Sequence, residues 1–326
     1  MSVVIVAPNW LGDVVMALPA IRDVRRHFSG VPLTIAARRS VAPMFRAVPG
    51  IDRVTVLDSG DGAVQLNAEI GILLPNSFRS AWLLKRAGVR QRWGYRADFR
   101  GALLTKAVRR PRPKVHFSEY YSNLVRRLGI ETGPLTPQLV LPAATVASAA
   151  AFLESRGWKS GQMLIGIAPG AAFGHAKRWP PKKYGQLADL LSRELGATIA
   201  VLGRSEDRGA AEHVRGLNLV GQTDLTMLLG VLSHCHAVVA NDSGSLHIAA
   251  ALGVPITGIY GPTDERYSTP FPSTEGRDQK IRALSEPVFC RPCFLAECPI
   301  DHRCMKRIAV ERVYDSVRHV LQETRV

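Results

Sequence analysis

The sequence predicts an α/β protein built of two Rossmann-like, doubly wound domains. Three observations lead there. Its 326 residues exceed what one ordinary α/β domain uses. Short apolar runs of strand length alternate with amphipathic segments of helical period. That alternation lapses once, near the middle of the chain, and then restarts.

Val3–Ala7 (VVIVA) is a continuous apolar run, as expected of a parallel strand covered on both faces. PNWLGD follows as a turn, Val14–Phe28 repeats apolar residues at helical spacing, and Leu33–Ala37 is the next strand, which completes a βαβ unit. Further strand-like runs lie at Val54–Leu57, Ile70–Leu74 and Arg90–Gly94, with helices predicted at Arg79–Ala87 and Ser118–Leu128. Gly129–Pro142 then holds three prolines and two glycines, a linker composition that places domains at 1–140 and 141–326. After a helix near Val146–Arg156 come strand Met163–Ala168, helix Pro181–Leu195, strand Thr198–Leu202 and helix Glu206–Arg215. A short strand Leu217–Val220, helix Leu225–Leu232, strand Ala237–Ala240, helix Ser245–Leu252 and strand Pro255–Ile259 complete a second sheet. Helix Val310–Glu323 closes the chain and is a candidate to pack back on the first domain.

A hydrophobic fraction of 46% and a charged fraction of 21% let each half bury a core without disulfides or metal, which excludes a disordered chain. No apolar run reaches the 18 or so residues of a membrane span. MSVVIVAPNW reads directly as a first strand rather than a secretion signal, so a cytoplasmic protein is expected. Forty-two Lys and Arg against 27 Asp and Glu leave a net charge of +15, which favours an anionic partner: nucleic acid, anionic lipid or phosphorylated glycan. Arginines crowd the first half (Arg22, Arg25, Arg26, Arg38, Arg39, Arg79, Arg86, Arg90, Arg92, Arg96, Arg100, Arg109, Arg110 and Arg112), and guanidinium forks grip carboxylates and phosphates. Nucleic acid is the weakest of the three, because aromatics are few at 7%, no recognition motif occurs and the basic residues spread over two α/β halves.

Ligands of open α/β sheets lie beyond the carboxyl ends of the strands, so the loops there carry the chemistry. In PNWLGD, Gly12 permits a tight turn and Asp13 stands at the start of a helix, either as its N-cap or as a general base. PGAAFGHAKRWP (Pro169–Pro180) combines glycines, which let the backbone approach a ligand at Gly170, with the cations Lys177 and Arg178, and suits a diphosphate. NDSGSLHIAAALGVP (Asn241–Pro255) runs from a strand end into a helix: Asp242 or Ser243 caps it, Gly244 allows close approach, and His247 lies one turn in. His247 reads either as a satisfied semi-buried histidine or as part of an anion site at the helix N-terminus. GPTD (Gly261–Asp264) is a further turn and a candidate ligand wall. In LGRSEDR, Glu206 is a candidate to accept ribose hydroxyls, with Asp207 its competitor.

Four of the five cysteines fall in CRPCFLAECPIDHRC, as Cys290, Cys293, Cys298 and Cys304, with His302 close by. The spacing is compatible with a structural zinc, with oxidisable pairs or with plain thiols. Nothing in it suggests action on a substrate.

Taken together, NWLGDVVMALPAI, PGAAFGHAKRWP and NDSGSLHIAAALGVPITGIYGPTD resemble the lipopolysaccharide heptosyltransferases of glycosyltransferase family 9, in the heptosyltransferase II branch, and the likeness extends to the tail ending CMKRI. The resemblance implies a GT-B architecture of two facing Rossmann-like domains and an inverting transfer of heptose from ADP-L-glycero-D-manno-heptose to the heptose and Kdo inner core of lipopolysaccharide, with no metal at the reaction centre. It implies that the acceptor lies mainly on the N-terminal domain, with Asn9, Trp10, Gly12 and Arg79 as candidate contacts, and the donor mainly on the C-terminal one. The family's catalytic aspartate matches Asp13, its phosphate-binding lysine Lys177, and its DSGxxH segment Asp242, Ser243, Gly244 and His247. Ser245 and Leu246 stand where related sequences often carry Leu-Met. Anionic inner-core sugars and lipid A phosphates give the basic first half a reason, and imply peripheral contact with the cytoplasmic face of the inner membrane. The neighbouring alternative is a GT-B transferase with another nucleotide sugar or another core acceptor.

Overall fold

The computed structural model describes residues 1–57, 65–112, 114–271 and 281–322, and the chain forms two compact units, Met1–Val140 and Leu141–Val326. The first holds a six-stranded sheet of β1 (Val3–Val6), β2 (Leu33–Arg38), β3 (Arg53–Leu57), β4 (Ile70–Leu73), β5 (Gln91–Tyr95) and β6 (Lys106–Val108), in the order β3-β2-β1-β4-β5-β6. Every pairing in it is parallel, with Val3 in register with both Leu33 and Ile70. Its helices are α1 (Leu11–His27), α2 (Phe78–Arg86) and α3 (Phe117–Arg127).

The second unit opens with α4 (Ala143–Ser155) and continues β7 (Leu164–Ala168), α5 (Pro181–Leu195), β8 (Thr198–Val201), α6 (Arg208–Ala211) and β9 (Leu217–Asn218). It proceeds through α7 (Leu225–Ser233), β10 (Ala237–Asn241), α8 (Gly244–Ala251), β11 (Ile256–Tyr260), α9 (Glu265–Ser268) and β12 (Ile281–Ser285), and ends in α10 (Arg303–Lys306) and α11 (Val310–Gln322). The sheet order is β12-β11-β10-β7-β8-β9, again wholly parallel. Counted from its own first strand, it repeats the order of the first unit. Each sheet therefore reverses its winding between its first and fourth strands, and the diverging loops leave a ligand crevice at that switch point. The loops after β1 and β4, and after β7 and β10, occupy it.

Strands β1, β4, β7, β10 and β11 are buried along their whole length, which is why they read as largely apolar runs. Two edge strands escaped the sequence pattern. β6 is three residues with an exposed Lys106, and β12 carries Arg282, so neither shows an apolar signature. The helix expected at Glu206–Arg215 shrinks to a 3-10 turn and the four residues of α6, because the chain must turn back into β9 through Gly216 at φ +146°. Glu323 lies outside the described residues. The closing helix α11 packs its apolar face (Val313, Val317, Val320) into the second unit's own core beside α5 and β11.

Several first-half arginines expected to face an acidic ligand are instead tied to main-chain carbonyls. Arg22 donates to Pro134 and Thr136, and Arg26 to Glu131, while buried Asp23 accepts from Gly133 N at 3.2 Å; these contacts strap the chain after α3 onto α1. Arg92 donates to the carbonyls of Leu103 and Val89, both at 2.6 Å. Arg100 is fully buried and donates to the carbonyls of Tyr95, Pro75 and Ser77 and to Ser80 Oγ. A fork with five donors can satisfy several carbonyls at a strand end where no ladder partner remains.

In the second core, Trp179 is completely buried, meets Tyr184 edge-on at 4.9 Å and donates its indole N–H to Ile308 O. Trp179→Ala is expected to cost about 3–5 kcal/mol, read as a lower denaturant midpoint; a change too small to resolve would contradict this packing.

Candidate functional site

Two polar residues at the end of β10 organise the ligand loops of the second unit. The first, Asn241, is fully buried and binds main chain with both ends of its amide. Its Nδ2 donates to Pro169 O (2.7 Å) and Gly170 O (3.2 Å), and its Oδ1 accepts from Trp179 N (3.1 Å) and Tyr184 Oη (2.9 Å). The loop from Pro169 to Pro180 is thereby held at both ends against the switch point.

The second, Asp242, is 6% exposed. Its Oδ2 accepts from Lys177 Nζ at 2.7 Å and from Thr263 Oγ1 at 2.8 Å, while Oδ1 lies 3.6 Å from His247 Nε2. Loops after three adjacent strands, β7, β10 and β11, thus converge on one carboxylate. Burial by itself would raise this carboxyl, but the contacts from His247 and Lys177 outweigh it and hold the group far below the ordinary carboxylate range. Lys177 closes a 3-10 turn, His175–Lys177, and lies 5.5 Å from the centre of the Phe173 ring.

Beside this pair, α8 begins at Gly244 with Ser243 in the N-cap position, yet Ser243 Oγ makes no capping bond and Asp242 is turned to Lys177. The expected side-chain cap is therefore absent, and the first-turn N–H groups of α8 look outward from the strand end. Ser243 Oγ and His247 Nδ1 are both buried without a hydrogen-bond partner among the described residues. Outward N–H groups, an uncommitted hydroxyl and a lysine suit a diphosphate. Gly170 is required by packing, since a Cβ there would collide with the Asp207 carboxylate. Asp207 is buried, accepts from Arg204 N (3.0 Å) and meets Arg178 Nη2 at 3.3 Å, so Arg178 is engaged in bracing the loop. Glu206, its neighbour, is exposed.

In the first unit, α1 starts earlier than its sequence pattern suggests. Trp10 takes the N-cap position, so Gly12 and Asp13 are inside the first turn: Asp13 is not the cap, and Gly12 is helical rather than a turn glycine. A carboxylate in the first turn still faces the positive end of the helix dipole. Asp13 is half-buried, and its charge acts on Tyr121 of α3, whose hydroxyl is pushed well up by burial first and by Asp13 second. Asn9, Trp10 and Arg79 are exposed, Arg79 in the first turn of α2.

The cysteine segment underlies the lysine loop. Ala176 N donates to Ala296 O (2.9 Å), His302 Nε2 lies 2.7 Å from Ala176 O, Phe294 N donates to Pro262 O (2.9 Å), and a side chain at Gly174 would strike Ala296 O. Arg291 donates to Gly261 O (2.7 Å) and Thr263 O (2.8 Å). All four thiols are free; burial raises that of Cys304, and Cys290, Cys298 and Cys293 add to the rise. Among the described residues no three His, Cys, Asp or Glu side chains are arranged to hold a metal, so the thiols as placed do not fit a zinc site.

Sequence reasoning singled out Lys177, Asp242, Ser243, Gly244 and His247, which the structure brings together. It passed over Asn241 and the hydroxyl of Thr263. A polar residue ending the buried run AVVAN was the available signal for Asn241, whereas Thr263 shows itself only through the sheet order.

Twin Rossmann-like sheets, one bearing a cationic cradle beside a bare helix N-terminus, are those of a GT-B glycosyltransferase. The profile of glycosyltransferase family 9 (heptosyltransferase) matches residues 63–303, and the chain belongs to that family. It is 31% identical over 306 residues to lipooligosaccharide heptosyltransferase 2 of Haemophilus ducreyi, covering 83% of this chain and 86% of that one. To lipopolysaccharide heptosyltransferase 2 of Escherichia coli K12 it is 28% identical, covering 83% and 85%. The solved structure of E. coli ADP-heptose lipopolysaccharide heptosyltransferase II matches with a TM-score of 0.82 and 25% identity, covering 100% of both chains.

The Asp242 carboxyl titrates lower in the folded protein than its unfolded value of about 3.9. Its stabilisation is therefore whole at neutral pH and is lost as pH falls through the lower folded value. Asp242→Asn, which strands Lys177, is expected to cost about 3–5 kcal/mol at neutral pH. That deficit should shrink in acid, in denaturation curves taken across the pH range; a constant deficit would contradict the pairing.

Proposed function

We propose that the protein is an inverting heptosyltransferase of the heptosyltransferase II type, moving L-glycero-D-manno-heptose from ADP-heptose to the inner core of lipopolysaccharide. The observation that carries this reading is the Lys177–Asp242 pair beside the uncapped start of α8. The first unit takes the acceptor and the second the donor. Asp13 accepts the proton of an acceptor hydroxyl as its oxygen attacks the anomeric carbon. Attack comes from the face opposite ADP, so the new glycosidic bond forms as the bond to the diphosphate breaks, and the configuration inverts. Charge gathering on the departing diphosphate meets Lys177 and the N–H groups of Ser243 and Gly244, a preorganised cationic environment.

Gly170 and Arg178 shape the diphosphate loop, His247 presents its uncommitted Nδ1 to the donor, and exposed Glu206 accepts the ribose hydroxyls while Asp207 braces the turn beneath it. Asn9, Trp10, Gly12 and Arg79 belong to the acceptor side. Among the described residues no helix is long and apolar enough to cross a membrane; the protein works from the cytoplasmic face of the inner membrane, where its acceptor is held. No step of the transfer passes through a metal. A structural zinc on the four thiols would serve only to brace the Lys177 loop, and would require their rearrangement.

Asp13→Asn is expected to lower kcat by about 10²–10⁴-fold with ADP affinity retained, in transfer assays with heptose-deficient core and in titrations with ADP. Lost ADP binding would return Asp13 to a structural role. Lys177→Met should weaken ADP binding and slow transfer together. Cys293→Ser, at the exposed thiol, should leave turnover unchanged, and elemental analysis of the purified protein tests for zinc directly.

A further inference from the structure

All the exposed phenylalanines and tryptophans of the first unit, among the described residues, lie on one edge of its sheet. Trp10 follows β1, Phe78 follows β4, Phe99 follows β5 and Phe117 opens the helix after β6; the fifth, Trp82, is one turn further along α2. Those four strands are adjacent and parallel, so their carboxyl ends make a single margin. Phe78 and Trp82 stack nearly parallel, 6.4 Å apart and 16° from coplanar, and both are exposed on α2, whose Ala81 and Leu84 are buried.

Phe99 departs furthest from what folding alone favours. Its side chain is 100% exposed, and its backbone is left-handed at φ +54°, directly after Asp98 at φ +48°. A bulky residue is disfavoured in that conformation, and an exposed ring returns nothing to the folded state. The surroundings nonetheless hold it in place. Asp98 accepts from Phe78 N at 2.8 Å, and buried Arg100 ties Tyr95 O to Ser77 O and Ser80 Oγ, joining the Phe99 turn to the start of α2. Charge completes the pattern: between Asn76 and Arg112 the sequence has eleven basic residues and one acid, Asp98. Arg79, Lys85, Arg86, Arg96 and Arg110 are exposed, with Lys85 Nζ 5.6 Å over the Trp82 ring.

We propose that this margin is a membrane-docking surface, on which Phe78, Trp82 and Phe99 enter the interfacial zone of an anionic bilayer while the flanking arginines and lysines meet its headgroups. Aromatic rings favour that zone, and basic side chains are drawn to its negative surface potential. A soluble polyanion would need the charges but not three exposed rings. The start of α1, with Asp13 in its first turn, and the start of α2, with Arg79, follow neighbouring strands of the same margin, so docking presents the proposed acceptor residues to a lipid-anchored sugar without drawing it from the bilayer. The proposal rests on the reading that the acceptor is a membrane glycolipid.

The test uses the full chain and a Trp82→Gln/Phe99→Asn variant, whose positions are exposed and whose second change suits a left-handed backbone, so that thermal stability holds or rises. Flotation with vesicles of phosphatidylcholine containing phosphatidylglycerol should show wild-type binding that the variant loses by about tenfold or more. Heparin binding and transfer to a delipidated core acceptor should not change. Equal vesicle binding by the two proteins would overturn the proposal. Wild-type binding to duplex DNA or heparin as tight as to vesicles, with the substitutions indifferent, would replace it with a general polyanion surface. A parallel fall in transfer to the delipidated acceptor would make the rings sugar-stacking groups instead. Vesicle binding that behaves as expected in a protein that transfers no heptose would sink the transfer reading and leave the surface standing.

Discussion

The ligand loops of the second unit depend on a single buried anion. A carboxylate with little access to water is unfavourable unless its oxygens are satisfied, and Asp242 is satisfied by Lys177, Thr263 and His247 together. Each partner arrives on a different element, so the carboxylate fixes where the loop after β7, the turn after β11 and the first turn of α8 lie. Asn241, one residue earlier and pointing to the other side of the strand, does the same for the main chain. A neutral amide suits that task, because it must both give and accept, and a charge suits the next position, because it must orient a cation.

Much of the architecture was legible because fully buried parallel strands announce themselves as apolar runs. The bounds of α5, Pro181 to Leu195, were readable from a proline at its start and a left-handed Gly196 at its end. Legibility failed where a strand had one wet side, as in β6 and β12, and where a helical pattern was cut short, as after Glu206. The motifs containing Lys177 and Asp242 were visible as strings, but their meeting was not, since they are 65 residues apart and joined only by the pairing of β7 with β10. Asp13 was legible as a residue, and the N-cap alternative for it fails because its helix begins at Leu11, three residues sooner than the apolar spacing does.

Composition proved least informative about arginine. The same side chain serves as a main-chain clamp at Arg22, Arg26, Arg92 and Arg100 and as open charge at Arg79 and Arg96, and sequence alone gives both the same weight. Guanidinium groups committed to carbonyls in this way, buried Arg100 above all, are no reserve of attraction for an anionic ligand. They hold loops in shapes that ladder hydrogen bonds alone would not fix, and in the case of Arg100 they hold aromatic rings in water.

The repeated strand order has an evolutionary corollary. Since each half winds its own sheet and opens its own crevice, substitutions in the crevice loops of one half can accumulate without disturbing the sheet that positions those of the other. Such independence lets lineages reshape one binding surface while the other stays the same.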